Sequence, residues 1–479
     1  MTQIWNRLRT KVANGLMVRT HSAEILPGEV FVALPGTVHD GTRFIPQALD
    51  RGAGFVVAGR PVELPAGSRA ELVVCQDPAR ALGELARAYF KTGELRFPVV
   101  GVTGTNGKTT VCAMVEHLFV ARGRKVGVIG TISRRWPGHL QQSSMTTPGC
   151  WELHSLLSRM AAAGVEAACM EVSSHALQQN RIAGIDLAVG VFTNLTQDHL
   201  DYHGDMESYF RAKSLLFGPE RRGSMTGVVN TDDAFGRRLA GSYSPVIGFG
   251  LNPFSEGDRN SLSGEITRCD SSGIRLKMRF QDREWELATP LVGRHNASNL
   301  LAAQAVGLGL GLRVEELGTL QSFPGVSGRL ERVGTATELD IFVDYAHTPD
   351  ALENVLKALR QTGFRRIITV FGCGGDRDPG KRPLMGKAVG GLSDIAVLTS
   401  DNPRHEDPEA IMDQVMPGLN GCPRVIREPD RREAIRLAID AMRPGDALLI
   451  AGKGHETTQQ IGDEKIPFSD QQTVRELTA

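Results

Sequence analysis

The sequence predicts an α/β protein built as three domains, and three observations carry that expectation. The chain has 479 residues, more than one hydrophobic core serves well. Short apolar, β-branched runs alternate with helical periodicities over most of its length, the pattern of a parallel sheet with helices on both faces. That alternation begins twice, once near residue 97 and again near 328. The expected domains are therefore 1–96, 97–327 and 328–479.

In the first segment, Gly28-Glu-Val-Phe-Val-Ala33, Gly54-Phe-Val-Val-Ala58 and Leu72-Val-Val74 read as strands. Pro78-Ala-Arg-Ala-Leu-Gly-Glu-Leu-Ala-Arg-Ala-Tyr-Phe90 reads as a helix. The second segment opens with the buried run Phe97-Pro-Val-Val-Gly-Val102. Its further strands are Val126-Gly-Val-Ile129, Ala167-Ala-Cys-Met-Glu-Val172 and Leu187-Ala-Val-Gly-Val-Phe192, while residues near 245–290 look antiparallel and polar. In the third segment the strands are Leu339-Asp-Ile-Phe-Val343, Arg366-Ile-Ile-Thr-Val-Phe371, Ile395-Ala-Val-Leu398 and Ala447-Leu-Leu-Ile450. Each is followed by polar, turn-forming residues, and open α/β sheets bind ligands outside the carboxyl ends of their strands. Four such clusters on one edge predict a single site there.

Composition narrows the class. Hydrophobic residues make up 41% and charged residues 23%, with 54 basic against 54 acidic side chains. A balanced charge supplies no bulk field toward nucleic acid or anionic membrane. The N-terminal stretch has no apolar core for a signal peptide, and no run approaches membrane-spanning length. The seven cysteines form no C-x-x-C pair, so neither a zinc site nor a disulfide framework is indicated, and reduced thiols in the cytoplasm are expected. Cys373, inside Phe371-Gly-Cys-Gly-Gly-Asp376, reads as a small residue in a tight loop, with a catalytic role left open.

The sharpest motif is Gly101-Val-Thr-Gly-Thr-Asn-Gly-Lys-Thr-Thr110. It follows a buried strand and precedes Val111, Met114, Val115, Leu118 and Phe119, which share one helical face. A strand, a glycine-rich turn and a helix N-terminus aim backbone N–H groups at one point, where the helix dipole favours an anion. Gly104, Thr105, Asn106, Gly107, Lys108, Thr109 and Thr110 are thus expected to bind ATP or GTP, Lys108 at the terminal phosphates and the Thr109 hydroxyl on Mg²⁺. The pattern departs from G-x-x-x-x-G-K-T at Val102. The alternative is a glycine-rich turn with a solvated lysine. Glu171, Asp198 and His199 follow the next strand ends, and Glu171 with Thr109 offers the hard oxygens that Mg²⁺ prefers. A second domain with a different ligand edge favours a ligase or transferase over a simple ATPase.

In order along the chain, the phosphate loop, Glu171-Val-Ser-Ser-His175, Asn194-Leu-Thr-Gln-Asp-His-Leu-Asp-Tyr-His-Gly204, Ala212-Lys-Ser-Leu-Leu-Phe217, Gly293-Arg-His-Asn-Ala-Ser-Asn299, Gly328-Arg-Leu-Glu331 and Asp344-Tyr-Ala-His347 resemble the motifs of the Mur ligases. Gly374-Gly-Asp-Arg-Asp378, Asp401-Asn-Pro-Arg404 and Gly452-Lys-Gly-His-Glu456 resemble the branch that adds a diamino acid. The resemblance implies a small α/β N-terminal domain, a central P-loop parallel-sheet ATPase domain and a C-terminal Rossmann-like domain. It implies an ATP-dependent amide synthesis in the cytoplasm, joining meso-2,6-diaminopimelate to the D-Glu of UDP-MurNAc-L-Ala-D-Glu through an acyl phosphate. These small molecules, with ATP, are then the partners, and a monomer without nucleic-acid or membrane partners is expected.

Residue by residue, the resemblance implies Mg²⁺ at Thr109, Glu171, His199 and Lys213, the last carbamylated to an anionic ligand. Lys108, Lys213 and His199 would be catalytic. Asn296, Asn299, Arg329 and Asp344 would bind ATP, with His295 nearby. Thr20, Ser22, Thr37, Val38, His39, Thr146, Thr147, Ser173, Gln179 and Arg181 match positions that contact the UDP-MurNAc-dipeptide. The family's Asp-Ser-Arg is His21-Ser22-Ala23 here, and Met145 stands for a common asparagine. Diaminopimelate would meet Arg377, Asp401, Asn402, Pro403, Arg404, Gly452 and Glu456; its second carboxylate calls for an arginine that lysine-adding relatives usually lack. A lysine-adding ligase, a folylpolyglutamate synthase-like ligase and a nucleotide switch stand as alternatives, separable by whether ADP release needs both the dipeptide precursor and an amino acid.

Overall fold

The computed structural model describes residues 2–36, 39–221, 223–251, 260–334 and 339–479. It separates into two compact units, Met1–Gly248 with Ala302–Arg313, and Phe249–Leu301 with Val314–Ala479.

The first unit begins with the helix Thr2–Ala13, which the sequence reading passed over. Leu8 and Val12, one turn apart, are its fully buried anchors. Four parallel strands follow, in the order Val18–Arg19, Val30–Val32, Phe55–Ala58 and Glu71–Val74. Val30, Val32, Phe55 and Val57 face one core shared with Leu8, Leu82 and Leu85, while Phe31, Ala33, Val56 and Ala58 face another. The period of two buries both faces, which is why these runs read as continuous apolar stretches. Asp77 caps the helix Pro78–Phe90 by accepting from Ala79 N and Arg80 N, with Pro78 in the first turn.

The second sheet of this unit has Val99–Thr103 at its centre, between Val189–Phe192 and Ala167–Glu171. Thr226–Asn230 and Val126–Ile129 flank those two, all parallel, and Ser133–Trp136 with His139–Gln142 continue it antiparallel. Parallel order places the carboxyl ends of the three central strands side by side. Their following residues are Gly104, Val172 and Thr193.

In the second unit, Ser261–Asp270, Gly273–Phe280 and Arg283–Thr289 form an antiparallel meander, as the polar alternation predicts. A six-stranded sheet then runs Glu331–Val333, Asp340–Asp344, Ala447–Ala451, Ile367–Phe371, Ile395–Leu398 and Arg424–Arg427. All its pairs are parallel except the first. Phe342, Ile367, Phe371 and Leu449 pack on one face with Leu352, Leu356 and Met385. Ile341, Val343, Ile368 and Ile450 pack on the other with Ala434, Ile435 and Val474. Strand ends match the sequence reading within two residues. Among the described residues, no helix is long and apolar enough to cross a membrane.

Candidate active site

The turn after Val99–Thr103 is tight for a steric reason. Gly104 lies at φ +146°, and a Cβ there would stand 1.9 Å from Thr193 Oγ1. Only glycine takes this backbone at this approach. Thr193 Oγ1 donates to Asn106 O at 2.5 Å, and Asn106 N donates to Asn194 Oδ1 at 2.9 Å. The neighbouring strand end thus shapes the loop before the helix Lys108–Val120 begins.

Two lysine side chains converge on one carbonyl. Lys108 Nζ donates to Gly104 O at 2.9 Å and to Thr105 O at 2.8 Å, and Lys213 Nζ donates to Gly104 O at 2.8 Å. Lys213 is 1% exposed and sits 4.5 Å above the Tyr209 ring. Burial, and then the neighbouring Lys108 charge, push its amine well below the usual lysine range. A lowered pKa favours the unprotonated amine, the form that adds CO₂ to become a carbamate. Tyr209, buried beside it, accepts from Thr105 Oγ1 at 3.3 Å.

Glu171 lies at the end of the adjacent strand, 1% exposed. It accepts from Thr109 Oγ1 at 3.0 Å, Thr131 Oγ1 at 2.9 Å and Thr131 N at 2.8 Å. Thr131 is a residue the sequence reading missed; its only signal was a position just past the strand Val126–Ile129. A single carboxylate beside a hydroxyl at a phosphate loop suits Mg²⁺, which takes few protein ligands and completes its octahedron with phosphate and water. His199 is in the left-handed region at φ 52°. Its Nε2 lies 3.3 Å from Asp198 Oδ2, and its ring stands 5.1 Å from His175 and 6.3 Å from Tyr209. Among the described residues no three histidine, cysteine or acidic side chains gather as a metal cage.

Next to Glu171, a second polar cluster assembles. Thr147 Oγ1 donates to Glu171 O at 2.9 Å and accepts from Ser173 N at 3.1 Å, while Thr146 Oγ1 lies 3.1 Å from Thr131 Oγ1. Ser173 caps the helix Ser174–Gln178. Arg181 donates to Thr147 O at 2.9 Å and twice to Gln179 Oε1, at 3.0 and 2.7 Å. Thr146, Thr147, Ser173, Gln179 and Arg181 therefore form one group beside the phosphate loop. Thr20 is half-buried at the end of the first strand. Ser22 bonds Gln47 at 2.7 Å and His39 meets the Phe44 ring at 6.3 Å, both partners in the N-terminal layer. Thr37 and Val38 lie outside the described residues.

In the second unit the strand ends supply a different chemistry. Asp344 is buried and accepts from Leu330 N at 2.6 Å and Ala346 N at 2.8 Å; burial raises its carboxyl against the pull of Arg329. The Arg329 guanidinium lies 5.1 Å over the Tyr345 ring. Gly328, at φ +68°, lets this turn close on the next loop, since a Cβ would stand 2.2 Å from His455 N. Asn296 and Asn299 are buried and bond inward, Asn296 Nδ2 to Val292 O at 2.9 Å and Asn299 Nδ2 to Asn296 Oδ1 at 3.3 Å.

Asp401, Asn402 and Pro403 are buried and Arg404 half-buried. Arg404, at φ 50°, donates through Nη1 to Gly375 O at 2.6 Å. Asn402 Nδ2 donates to Glu456 Oε2 at 3.0 Å. A Cβ on Gly452 would approach Asp401 Oδ2 to 2.6 Å. Arg377 stands exposed on the 372–378 loop. Underneath, Arg431 and Asp470 pair through two 2.8 Å bonds with both side chains at 0% exposure, and Arg431 Nη2 donates to Ala451 O at 3.0 Å. Asp401 Oδ2 is 3.8 Å from Arg431 Nη1. The sequence reading missed this pair, because its partners are 39 residues apart.

Cys373 is not a nucleophile. It is buried against Met385, Sγ to Sδ 3.5 Å, and burial pushes its thiol up to about 12.

Known proteins resemble this chain along its length. Residues 102–307 match the Mur ligase middle domain, 328–454 the glutamate ligase domain of Mur ligases, and 16–90 the Mur ligase family catalytic domain. The UDP-N-acetylmuramoyl-L-alanyl-D-glutamate–2,6-diaminopimelate ligase of Lawsonia intracellularis is 54% identical over 462 residues, 96% of each chain. That of Gloeobacter violaceus is 44% identical over 462 residues, 95% of this chain and 92% of its own. A solved structure of a ligase of the same name superposes with a TM-score of 0.71 at 32% identity, covering 97% of this chain and 94% of the other.

Proposed function

The chain belongs to the Mur ligase family, and we infer that it is an ATP-dependent ligase joining meso-2,6-diaminopimelate to UDP-MurNAc-L-Ala-D-Glu. The observation that carries the amino-acid assignment is Arg404, held by Gly375 O beside the Asn402–Glu456 pair. A fixed guanidinium next to a carboxylate offers one group for a carboxylate and one for an ammonium, the two charges of a diamino acid's far end. Arg377, Asp401, Pro403 and Gly452 complete that reading of the loop cluster.

The reaction transfers the terminal phosphoryl of ATP to the free carboxylate of D-Glu, giving an acyl phosphate and ADP. The amine then attacks the acyl carbon, and the tetrahedral oxyanion collapses with loss of phosphate and a proton. Negative charge develops in each step, so positioning and cationic stabilisation are the catalytic task. Lys108 presents its ammonium to the phosphoryl group, with Gly104, Thr105, Asn106, Gly107 and Thr110 cradling phosphate through the loop. Thr109, Glu171 and His199, with Lys213 as its carbamate, would hold Mg²⁺, which neutralises phosphate charge when bound. The lowered pKa that burial gives Lys213 supports the carbamate. Arg181, steadied by Gln179 and Thr147, presents its guanidinium to the dipeptide end of the precursor, with Thr146 and Ser173 beside it. Thr20, Ser22 and His39 are left to the uridine end. Arg329, Asp344, Asn296 and Asn299 are read as nucleotide-binding groups, Asp344 as an acceptor. Seven free cysteines suit a cytoplasmic enzyme, and the reading is of a monomer.

The test is phosphate release with ATP, Mg²⁺ and the dipeptide precursor, comparing meso-diaminopimelate with L-lysine for wild type and Arg404→Ala. Turnover is expected with diaminopimelate alone. In the variant, the KM for diaminopimelate should rise about 10- to 100-fold, the loss of a charged hydrogen-bonding group, with the KM for ATP unchanged. Equal turnover with lysine, or an indifferent variant, overturns the substrate assignment. Turnover that needs no amino acid overturns the ligase.

A further inference from the structure

Lys453 is fully buried, at 0% exposure, and the mechanism above gives it no part. Its ammonium has three N–H donors. One goes to Asn402 Oδ1 at 2.9 Å and one to Thr458 O at 2.9 Å, while Glu456 Oε2 lies 3.5 Å away. Burying an ammonium is costly unless its protons are taken, and here the acceptor of greatest consequence is the side chain of Asn402. That oxygen also accepts from Gln460 N at 2.9 Å. Two donors on one side decide which way the Asn402 amide faces: its Oδ1 must meet Lys453 and Gln460, so its Nδ2 is left for Glu456, 3.0 Å away. With the amide reversed, an oxygen would face the Glu456 carboxylate and repel it.

The same contacts join two loops. Arg404 N donates to Gln460 O at 3.2 Å, Gly462 N to Arg404 O at 2.7 Å, and Gln459 Nε2 to Asp401 O at 2.7 Å. The 401–404 turn is thereby laid along 459–462, and Lys453 sits at the root of that seam. We propose that Lys453 is a positioning residue for amino-acid selection, acting through Asn402 to orient Glu456 and to set its separation from Arg404. The proposal rests on the reading of these loops as the amino-acid site. Glu456 is then pre-aimed for the incoming ammonium without spending ligand binding on ordering it.

Lys453→Met keeps the stem and removes the donors. Relative to wild type, its KM for meso-diaminopimelate is expected to rise roughly 10-fold or more, the scale of a hydrogen bond to a charged group. The KM values for ATP and the dipeptide precursor and the kcat at saturation should stay near wild type, and the preference for diaminopimelate over L-lysine should narrow. Lys453→Gln, which keeps a donor for Asn402, should recover part of the loss; it also carries the test if the methionine variant does not fold. An unchanged diaminopimelate KM, or equal rises for all three substrates, overturns the proposal and leaves the ligase standing. Wild-type enzyme without amino-acid-dependent turnover overturns the ligase reading itself.

Discussion

After Val99–Thr103 the chain turns on glycine, and two lysine amino groups close on one carbonyl oxygen, that of Gly104. After Ile395–Leu398 and Ala447–Ala451, side chains close on side chains instead: Asn402 on Glu456 and Lys453, with Arg431 and Asp470 beneath. Both clusters stand at carboxyl ends of parallel strands. The first concentrates positive charge and backbone donors, which suits a phosphate of any carrier. The second mixes fixed charges of both signs, which suits a small zwitterion of defined length. The phosphate loop of the first cluster is written in ten consecutive residues; the second cluster draws on four loops and is interlocked.

If interlocking sets the second site, its foundation should be the most costly place to cut. Asp470→Ala leaves Arg431 buried without its partner and is expected to lower unfolding free energy by about 3–5 kcal/mol, read from urea denaturation. A loss under about 1 kcal/mol would show that the pair bears little of the seam.

Cutting the first site should instead cost chemistry. Lys108→Ala is expected to reduce turnover roughly 10²- to 10³-fold, the scale of losing one preorganised charge-stabilising group. Its melting temperature should hold, because Lys213 still caps Gly104 O. Normal turnover would take Lys108 out of the phosphoryl reading.

The smallest effect sharpens the contrast at the surface. His405 lies 2.7 Å from Asp376 and 3.2 Å from Asp463, and its bond to Asp376, followed by that to Asp463, raises its pKa above the usual 6.5. A raised histidine stabilises the folded chain fully below about pH 6.5, and the contribution is lost as pH rises through the raised value. Wild type should therefore melt above His405→Asn in mild acid and together with it in mild alkali. Added salt should shrink the gap, since these groups are exposed. A constant difference across the range would deny His405 its charge.

The phosphate loop, Glu171, the strand alternation and the antiparallel stretch were legible in sequence, because each is encoded by neighbours or by periods of two and 3.6. Thr131, Tyr209 and Arg431 were not, because nothing local marks a side chain whose partner is 40, 104 or 39 residues away. The Asp401-Asn-Pro-Arg404 turn lay between these cases: its residues were readable and its support was not. Lys453 shows why. The sequence places a lysine between two glycines, where solvent exposure is the ordinary outcome. The tertiary fold buries it completely against Asn402 and Thr458. The sequence alone thus determined which elements form and which chemical groups stand at their ends. Only the tertiary structure decided their burial and their partners, since desolvation and hydrogen bonding depend on what packs around a group in space.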